Sequence, residues 1–374
     1  MIAMISRSRI LIIRFSSLGD IILLTPLFRE VKRCFPNAEI DFLTSTTFAG
    51  VCANNPHISK TIAIDRKNSQ SELEHFIRHH NPADYDLVID AHHSIRSRLF
   101  LLKWLGLFYR FRHKITVIDK RSFKRNLLLT TGINLMKNAV SQRNAYLNLI
   151  APLVGSESLS AKTELFPSSD DKQRAKKIIQ KHRLDGKRLV AVGPGASFAG
   201  KCWPKESYLA LTDTLEQAGY PVILLGAKGE SEQQWIVEHS SIPPLNLAGQ
   251  LSYLETAALL EHCALVVAND SAVVHFAEAM NVPALAIFGP TVREFGYGPF
   301  LEKSKTMQVE LSCRPCSRNG KGKCTNPIER QCLRDITVDA ILKAALQIVA
   351  FSGKNTLSGT GEHIPSNAPK KDDD

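Results

Sequence analysis

The sequence predicts an α/β protein built as two Rossmann-like domains facing each other across a cleft. Three observations predict it. Short apolar runs alternate with helical patterns along the chain, which is the signature of βαβ units and parallel sheets. The alternation lapses once, in a polar, strand-poor stretch, and then restarts. A chain of 374 residues with 44% apolar content also has material for about two cores.

In the first half, strands are expected at Ile10–Ile13, Ile40–Leu43, Thr61–Ile64, Leu87–Ile89 and Ile115–Ile118, with helices beginning near Asp20, Phe48, Ser71 and Ile95. Residues 1–160 form the N-terminal domain on this reading. Residues 161–187 form a linker region, where Pro167 and a Ser-Ser-Asp-Asp run precede a basic helix from Asp170 to His182. The second domain, 188–336, opens with a strand at Leu189–Val192 and a Gly-Pro-Gly-Ala-Ser loop. A helix over Ser207–Ala218 stops at Gly219, and a strand at Val222–Leu225 follows. Strands at Leu265–Ala268 and Ala284–Phe288 flank a helix over Val273–Met280. Residues 337–352 read as a C-terminal helix expected to pack back on the N-terminal domain. Residues 353–374, ending in Asn-Ala-Pro-Lys-Lys-Asp-Asp-Asp, read as a disordered tail.

The net charge of +11 lies in one half. Residues 1–150 hold 22 Lys and Arg against 11 Asp and Glu, and the rest of the chain holds 25 of each. Such asymmetry directs an anionic partner to the N-terminal half, where a plain solvated basic face is the simpler alternative. No apolar run approaches the roughly 20 residues that span a bilayer, and the N-terminal apolar stretch reads as a strand. A cytoplasmic protein is expected. Residues 99–114, Leu-Phe-Leu-Leu-Lys-Trp-Leu-Gly-Leu-Phe-Tyr-Arg-Phe-Arg-His-Lys, suit a core helix or, with their basic flanks, an interfacial element on anionic lipid.

Two loops carry candidate chemistry. In Gly-Pro-Gly-Ala-Ser-Phe-Ala-Gly-Lys (193–201), glycines such as Gly195 let backbone N–H groups approach a phosphate and Lys201 adds charge. In 266–291 a strand ends at Asn269, Asp270 and Ser271 cap a helix carrying His275, and a later strand ends in Phe-Gly-Pro-Thr. Any one of these is what an ordinary cap or turn uses; together they suit a diphosphate at a helix N-terminus.

Ser-Ser-Leu-Gly-Asp at 16–20, Lys-Cys-Trp-Pro at 201–204 and Asn-Asp-Ser-Ala-Val-Val-His to Phe-Gly-Pro-Thr at 269–291 stand in an order and spacing that resemble glycosyltransferase family 9. These are the bacterial ADP-heptose:lipopolysaccharide heptosyltransferases, and the likeness runs over most of residues 9–350. It implies a GT-B fold, with an acceptor-binding first domain and a donor-binding second one. It implies inverting transfer from ADP-heptose to the lipid A–Kdo inner core at the inner face of the inner membrane, with no cofactor required and no nucleic acid bound. Asp20 matches the proposed general base, which the positive end of its helix would keep ionised. Lys201 matches the lysine that neutralises the leaving diphosphate. Ser17, Gly19, Gly195, Asp270, Ser271, Ala272 and His275 fall on the donor side, with Asp270 expected to organise its turn or a bound cation. Ala272 stands where relatives usually have glycine, so the backbone approach there is less free. His92 and His93 stand where the family commonly has Gln-Gly, while Arg96, Arg98, Lys120 and Arg121 remain candidates for anionic groups of the acceptor.

Cys313, Cys316, Cys324 and Cys332 lie within 20 residues and suit a structural Zn²⁺ site clipping a loop that is poor in apolar residues. Free thiols on a surface loop are the other reading. Two other functions remain open from the residues. A basic zinc-site nucleic-acid-binding protein would use the cysteines and the basic half, and a family 9 transferase could use another nucleotide sugar. A dinucleotide oxidoreductase lacks its Gly-x-Gly-x-x-Gly after the first strand.

Overall fold

Residues 9–13 (Arg-Ile-Leu-Ile-Ile) and 189–193 (Leu-Val-Ala-Val-Gly) are buried along nearly their whole length, which suits strands covered on both faces. Each lies inside an all-parallel sheet. The structure, a computed structural model, describes residues 8–65, 67–106, 115–136, 140–154 and 159–352. The first sheet contains β1 (Arg9–Ile13), β2 (Glu39–Ser45), β3 (Lys60–Ile64), β4 (Leu87–Asp90) and β5 (Ile115–Val117), in the order β3-β2-β1-β4-β5. The second contains β6 (Leu189–Gly193), β7 (Val222–Leu224), β8 (Leu245–Asn246), β9 (Cys263–Asn269), β10 (Ala284–Ile287) and β11 (Lys305–Met307), in the order β11-β10-β9-β6-β7-β8. The order therefore reverses between β1 and β4 in one sheet and between β6 and β9 in the other. Ligands of doubly wound sheets bind outside the strand C-termini at such points.

The longer helices are α1 (Leu18–Cys34), α2 (Ser69–His79), α3 (Ile95–Leu105), α4 (Ser122–Thr131), α5 (Gln142–Leu147), α6 (Ser169–Lys181), α7 (Lys205–Gln217), α8 (Glu232–His239), α9 (Tyr253–Leu260), α10 (Ala272–Ala279) and α11 (Val338–Ser352). α1 packs against α10, and their apolar faces merge the inner layers of both sheets into one core that includes Ile12, Leu24, Val266 and Phe276. Two further cores cover the outer faces.

Three expectations change. The helix near Phe48 is a single turn, Thr46–Ala49, passing into a 3-10 turn at Gly50–Cys52; two β-branched threonines and a glycine give it little reason to continue. The C-terminal helix α11 does not turn back to the first domain. Ile341, Ala345, Ile348 and Val349 pack on the outer face of the second sheet with Leu265, Val267, Leu285 and Ile287, where an apolar stripe finds the larger uncovered surface. The linker is strapped down as well. Arg29 donates to the carbonyls of Ser160 and Lys162 and pairs with Glu164, so 160–164 lies on α1, whereas α6 packs on α9 of the second half. The tail at 353–374 and the 107–114 part of the basic-apolar stretch lie outside the described residues.

Candidate functional site

The two reversal points face each other, and Asp20 stands between them. β1 ends at Ile13 beside Asp90 of β4, and the turn that follows leads into α1. Asp20 sits in the first turn of that helix. Its Oδ2 pairs with Arg14 Nη2 at 2.7 Å and accepts from Ser17 Oγ at 2.7 Å and Ser17 N–H at 3.2 Å. Its Oδ1 accepts from the Tyr146 hydroxyl and, across the cleft, from the Tyr297 hydroxyl, both at 3.2 Å. Burial alone would raise the carboxyl's pKa, but Arg14 and the Ser17 hydrogen bonds bring it down to about 2. Asp20 is thus held ionised by a buried arginine and the Ser17 hydrogen bonds, in the first turn of its helix. Burial raises both tyrosines well above the ordinary phenol range, so they act as neutral donors.

Across the cleft, Gly193 aligns with Ala268, so the loop after β6 lies beside the loop after β9. Lys201, in the 3-10 turn Ala199–Lys201, pairs with Asp270 Oδ2 at 2.6 Å and donates to the Asp270 carbonyl at 3.1 Å. Asp270 also accepts from Thr291 Oγ1 at 2.7 Å, so it organises the turn and aims the lysine. Asn269 ties the two loops together: its Oδ1 accepts from Trp203 N–H and its amide donates to the Pro194 carbonyl.

Asp20, Lys201, Asp270 and Thr291 line one cavity of about 480 Å³, together with Ser17, Gly19, Ser271, Ala272, His275, Tyr297, Arg125, Arg318 and Asn319. A larger one of about 930 Å³ adjoins it, sharing Leu18, Ser197, Ser271 and Ala272. The N-terminus of α10 lies where the two meet. Ala272 takes an ordinary helical start, outside the left-handed backbone region, so the absence of glycine there imposes no strain. Ser271 Oγ and His275 Nδ1 are buried and have no hydrogen-bond partner among the described residues. Burial lowers His275 to about 4, against the pull of Asp270 and Asp20, so it is neutral near pH 7. Gly19 has a reason that sequence reading did not supply: a Cβ there would stand 2.8 Å from His275 Cδ2, where α1 and α10 meet.

In the larger cavity, a Cβ on Gly195 would overlap the Glu230 carboxylate. Glu230, held by Gln233 Nε2 at 2.6 Å, escaped sequence reading because it sits in a polar loop with no distinguishing pattern. An acid beyond the second strand of such a fold can take ribose hydroxyls.

The proposed acceptor residues divide. Lys120 is half-buried and feels Arg14, Asp20 and Arg318. Arg96 and Arg98 are exposed on α3, and Arg98 Nη2 meets His93 Nε2 at 2.5 Å. Arg121 is committed elsewhere, to the Val140 carbonyl and Gln142. Arg125 and Arg318, missed in the sequence, reach the smaller cavity in its place.

No preformed zinc site is seen at the four cysteines among the described residues. Among the described residues, no group of three or more His, Cys, Asp or Glu side chains is placed to hold a metal ion, and all four thiols are free. Cys313 accepts from Asn326 Nδ2, Cys324 accepts from Arg330 N–H, and Cys332 is buried with Leu333. The loop is clipped by Arg314, which donates to the carbonyls of Gly289 at 2.6 Å and Thr291 at 2.9 Å. So held, Gly320 covers the stem of Lys201.

The comparisons with known proteins bear on the family and the fold. A family model described as glycosyltransferase family 9 (heptosyltransferase) matches residues 75–324. The chain is 27% identical over 287 residues to lipopolysaccharide heptosyltransferase 3 of Escherichia coli, covering 73% of this chain and 81% of that protein. It superposes on a family 9 glycosyltransferase of Veillonella parvula with a TM-score of 0.77 at 24% identity, over 92% of this chain and 98% of the other. With E. coli ADP-heptose lipopolysaccharide heptosyltransferase II the TM-score is 0.68 at 21% identity, over 92% and 99%. The fold is that of these GT-B enzymes.

Proposed function

The chain belongs to glycosyltransferase family 9, the heptosyltransferases, and from that premise we propose that it moves a heptose from ADP-heptose to the inner core of lipopolysaccharide. The observation that carries this reading is the single cavity into which the two sheet reversal points deliver Asp20 and Lys201.

In the proposed reaction the nucleotide lies in the larger cavity, its ribose near Glu230. The diphosphate lies at the α10 N-terminus, where Ser271 Oγ and backbone N–H groups receive it. The acceptor hydroxyl oxygen bonds to the anomeric carbon as the bond to the β-phosphate oxygen breaks, and the hydroxyl proton passes to Asp20. ADP departs with the bonding pair, and Lys201 meets the charge growing on its oxygen. A carboxylate with a pKa of about 2 is a weak base, so proton transfer comes late, after the attacking oxygen has become acidic. Asp20 accepts five hydrogen bonds and ionic contacts, more than its roughly four lone-pair directions accommodate well, so an acceptor hydroxyl must displace one of them. Tyr297, which reaches Asp20 from the opposite domain, is the partner we assign to that displacement.

Lys120, Arg125 and Arg318 would meet the acceptor's anionic groups. The reaction is inferred to run at the cytoplasmic face of the inner membrane. No helix among the described residues is long and apolar enough to cross a membrane, and the charge excess lies in the acceptor-side half. A nucleic-acid-binding function is not favoured.

The test is direct. Purified protein, ADP-heptose and a lipid A–Kdo acceptor are incubated, and the product is read by mass spectrometry. Addition of one heptose with release of ADP is expected. Absence of transfer, with turnover of a different nucleotide sugar instead, would move the chain to another donor within the family.

A further inference from the structure

Large apolar side chains that face solvent gather in the first domain. Ile95, Leu99 and Leu102 follow one another at helical spacing along the outer face of α3, Ile95 being 78% and Leu99 59% exposed. The opposite face of the same helix, through Phe100, Leu101 and Trp104, fills the outer core. Phe123, at the start of α4, is 77% exposed. Both helices begin just beyond the C-terminal ends of neighbouring strands, β4 and β5, so Ile95 and Phe123 flank the side of the sheet that opens on the cleft. Arg96 and Lys120, one on each segment, both bear on the His92 ring, which ties the two starts to one neighbourhood. Arg98 and Lys124 stand exposed beside them. Apolar side chains ringed by cations, in the half that holds the chain's whole excess of positive charge, match the surface of an anionic bilayer.

We propose that this face, built on Ile95, Leu99 and Phe123 with Arg96, Arg98 and Lys124, docks on an anionic phospholipid bilayer and sets the cleft mouth at the membrane surface. The proposal rests on the reading that the acceptor is a membrane glycolipid. The apolar side chains enter the headgroup boundary while the basic ones meet lipid phosphates. The cleft then opens where the acceptor's sugars leave the bilayer.

Co-sedimentation with phosphatidylcholine vesicles, with and without phosphatidylglycerol, tests it. The full chain should bind the anionic vesicles, bind neutral ones weakly, and release in high salt. The triple variant Ile95→Ser/Leu99→Ser/Phe123→Ser should bind anionic vesicles about tenfold or more weakly, as expected when apolar anchoring is lost. Its kcat/KM on a deacylated, water-soluble acceptor should be unchanged, which shows that the variant folds. Wild-type protein that ignores anionic vesicles, or a triple variant that binds them equally well, would overturn the docking surface while leaving transfer intact. So would a wild-type dimer that the variant makes monomeric without altering vesicle binding, since the face would then join two copies. Vesicle binding without turnover of the soluble acceptor would instead fail the transferase reading.

Discussion

Asp20→Asn is the substitution with the widest consequence, because the carboxylate is both the proposed base and the partner of a buried arginine. With the charge gone, Arg14 is left buried and unpaired, a loss that typically costs about 3–5 kcal/mol. Lower thermal stability is therefore expected, and kcat should fall by roughly 10²–10⁴ in protein that remains folded. ADP affinity, measured by calorimetry, should be nearly unchanged. Turnover near wild type would return Asp20 to a helix-capping residue. Lys201→Ala should chiefly damage use of the donor, because its ammonium group is aimed by Asp270 into the cavity at the α10 N-terminus. Varying each substrate in turn separates the cases, and a defect confined to the acceptor would refute that placement. At this scale the sequence revealed the groups with local signatures: Asp20 in its strand–turn–helix, and Lys201 before Trp203-Pro204. It hid what surrounds them. Tyr146 and Tyr297 meet Asp20 from 126 and 277 residues away, and no spacing rule connects such positions.

At the scale of elements, the α1–α10 contact and the cysteine loop bear on the same cavity. Gly19→Ala forces a methyl group against His275 Cδ2, and either the ring or the helix pair must shift. Overpacking of this kind costs about 1–3 kcal/mol, and the cavity walls move with it. A lower melting temperature and reduced kcat together are expected; wild-type values for both would mean that the two helices separate freely in solution. The loop over Lys201 is held by Arg314, so Arg314→Ala should raise KM for the donor by loosening Gly320 from the lysine stem. A chelator should leave both stability and rate unchanged. A large loss of activity on chelation, with stoichiometric metal in the purified protein, would support the metal reading of the four cysteines. The strands of both sheet centres were legible because continuous burial writes itself as continuous apolar sequence. The edge strands β8 and β11, two and three residues long and partly exposed, leave no such run. α11 was legible as a helix but not in its destination, since an apolar stripe does not name the face that will cover it.

For the molecule as a whole, the common consequence of burying these groups is sensitivity to acid. His275 is lowered to about 4 and His92 to about 3, in each case first by burial; near Lys120 and Arg14, His92 also faces repulsion. His57, His80 and His93 shift in the same direction. A histidine whose folded pKa lies below its unfolded value, about 6.5, binds its proton more readily once the chain unfolds. Its contribution to stability is complete above about 6.5 and is lost as pH falls toward the folded pKa. Asp20, held at about 2, adds a second phase: its contribution persists above the ordinary carboxylate pKa of about 4 and is lost as pH falls from there toward 2. The melting temperature should therefore decline from pH 6.5 to 4 and continue to fall below that. Part of the first decline belongs to the domain interface, because His275 packs on Gly19 between α1 and α10. His275→Gln should flatten the slope between pH 6.5 and 4, whatever it does to stability at pH 7.5, while leaving the lower phase in place. Melting curves of both proteins across pH 3–8 decide it. A wild-type curve flat down to pH 4.5, or one whose slope the substitution leaves intact, would mean that His275 protonates without cost and that the two domains are not closed on it in solution.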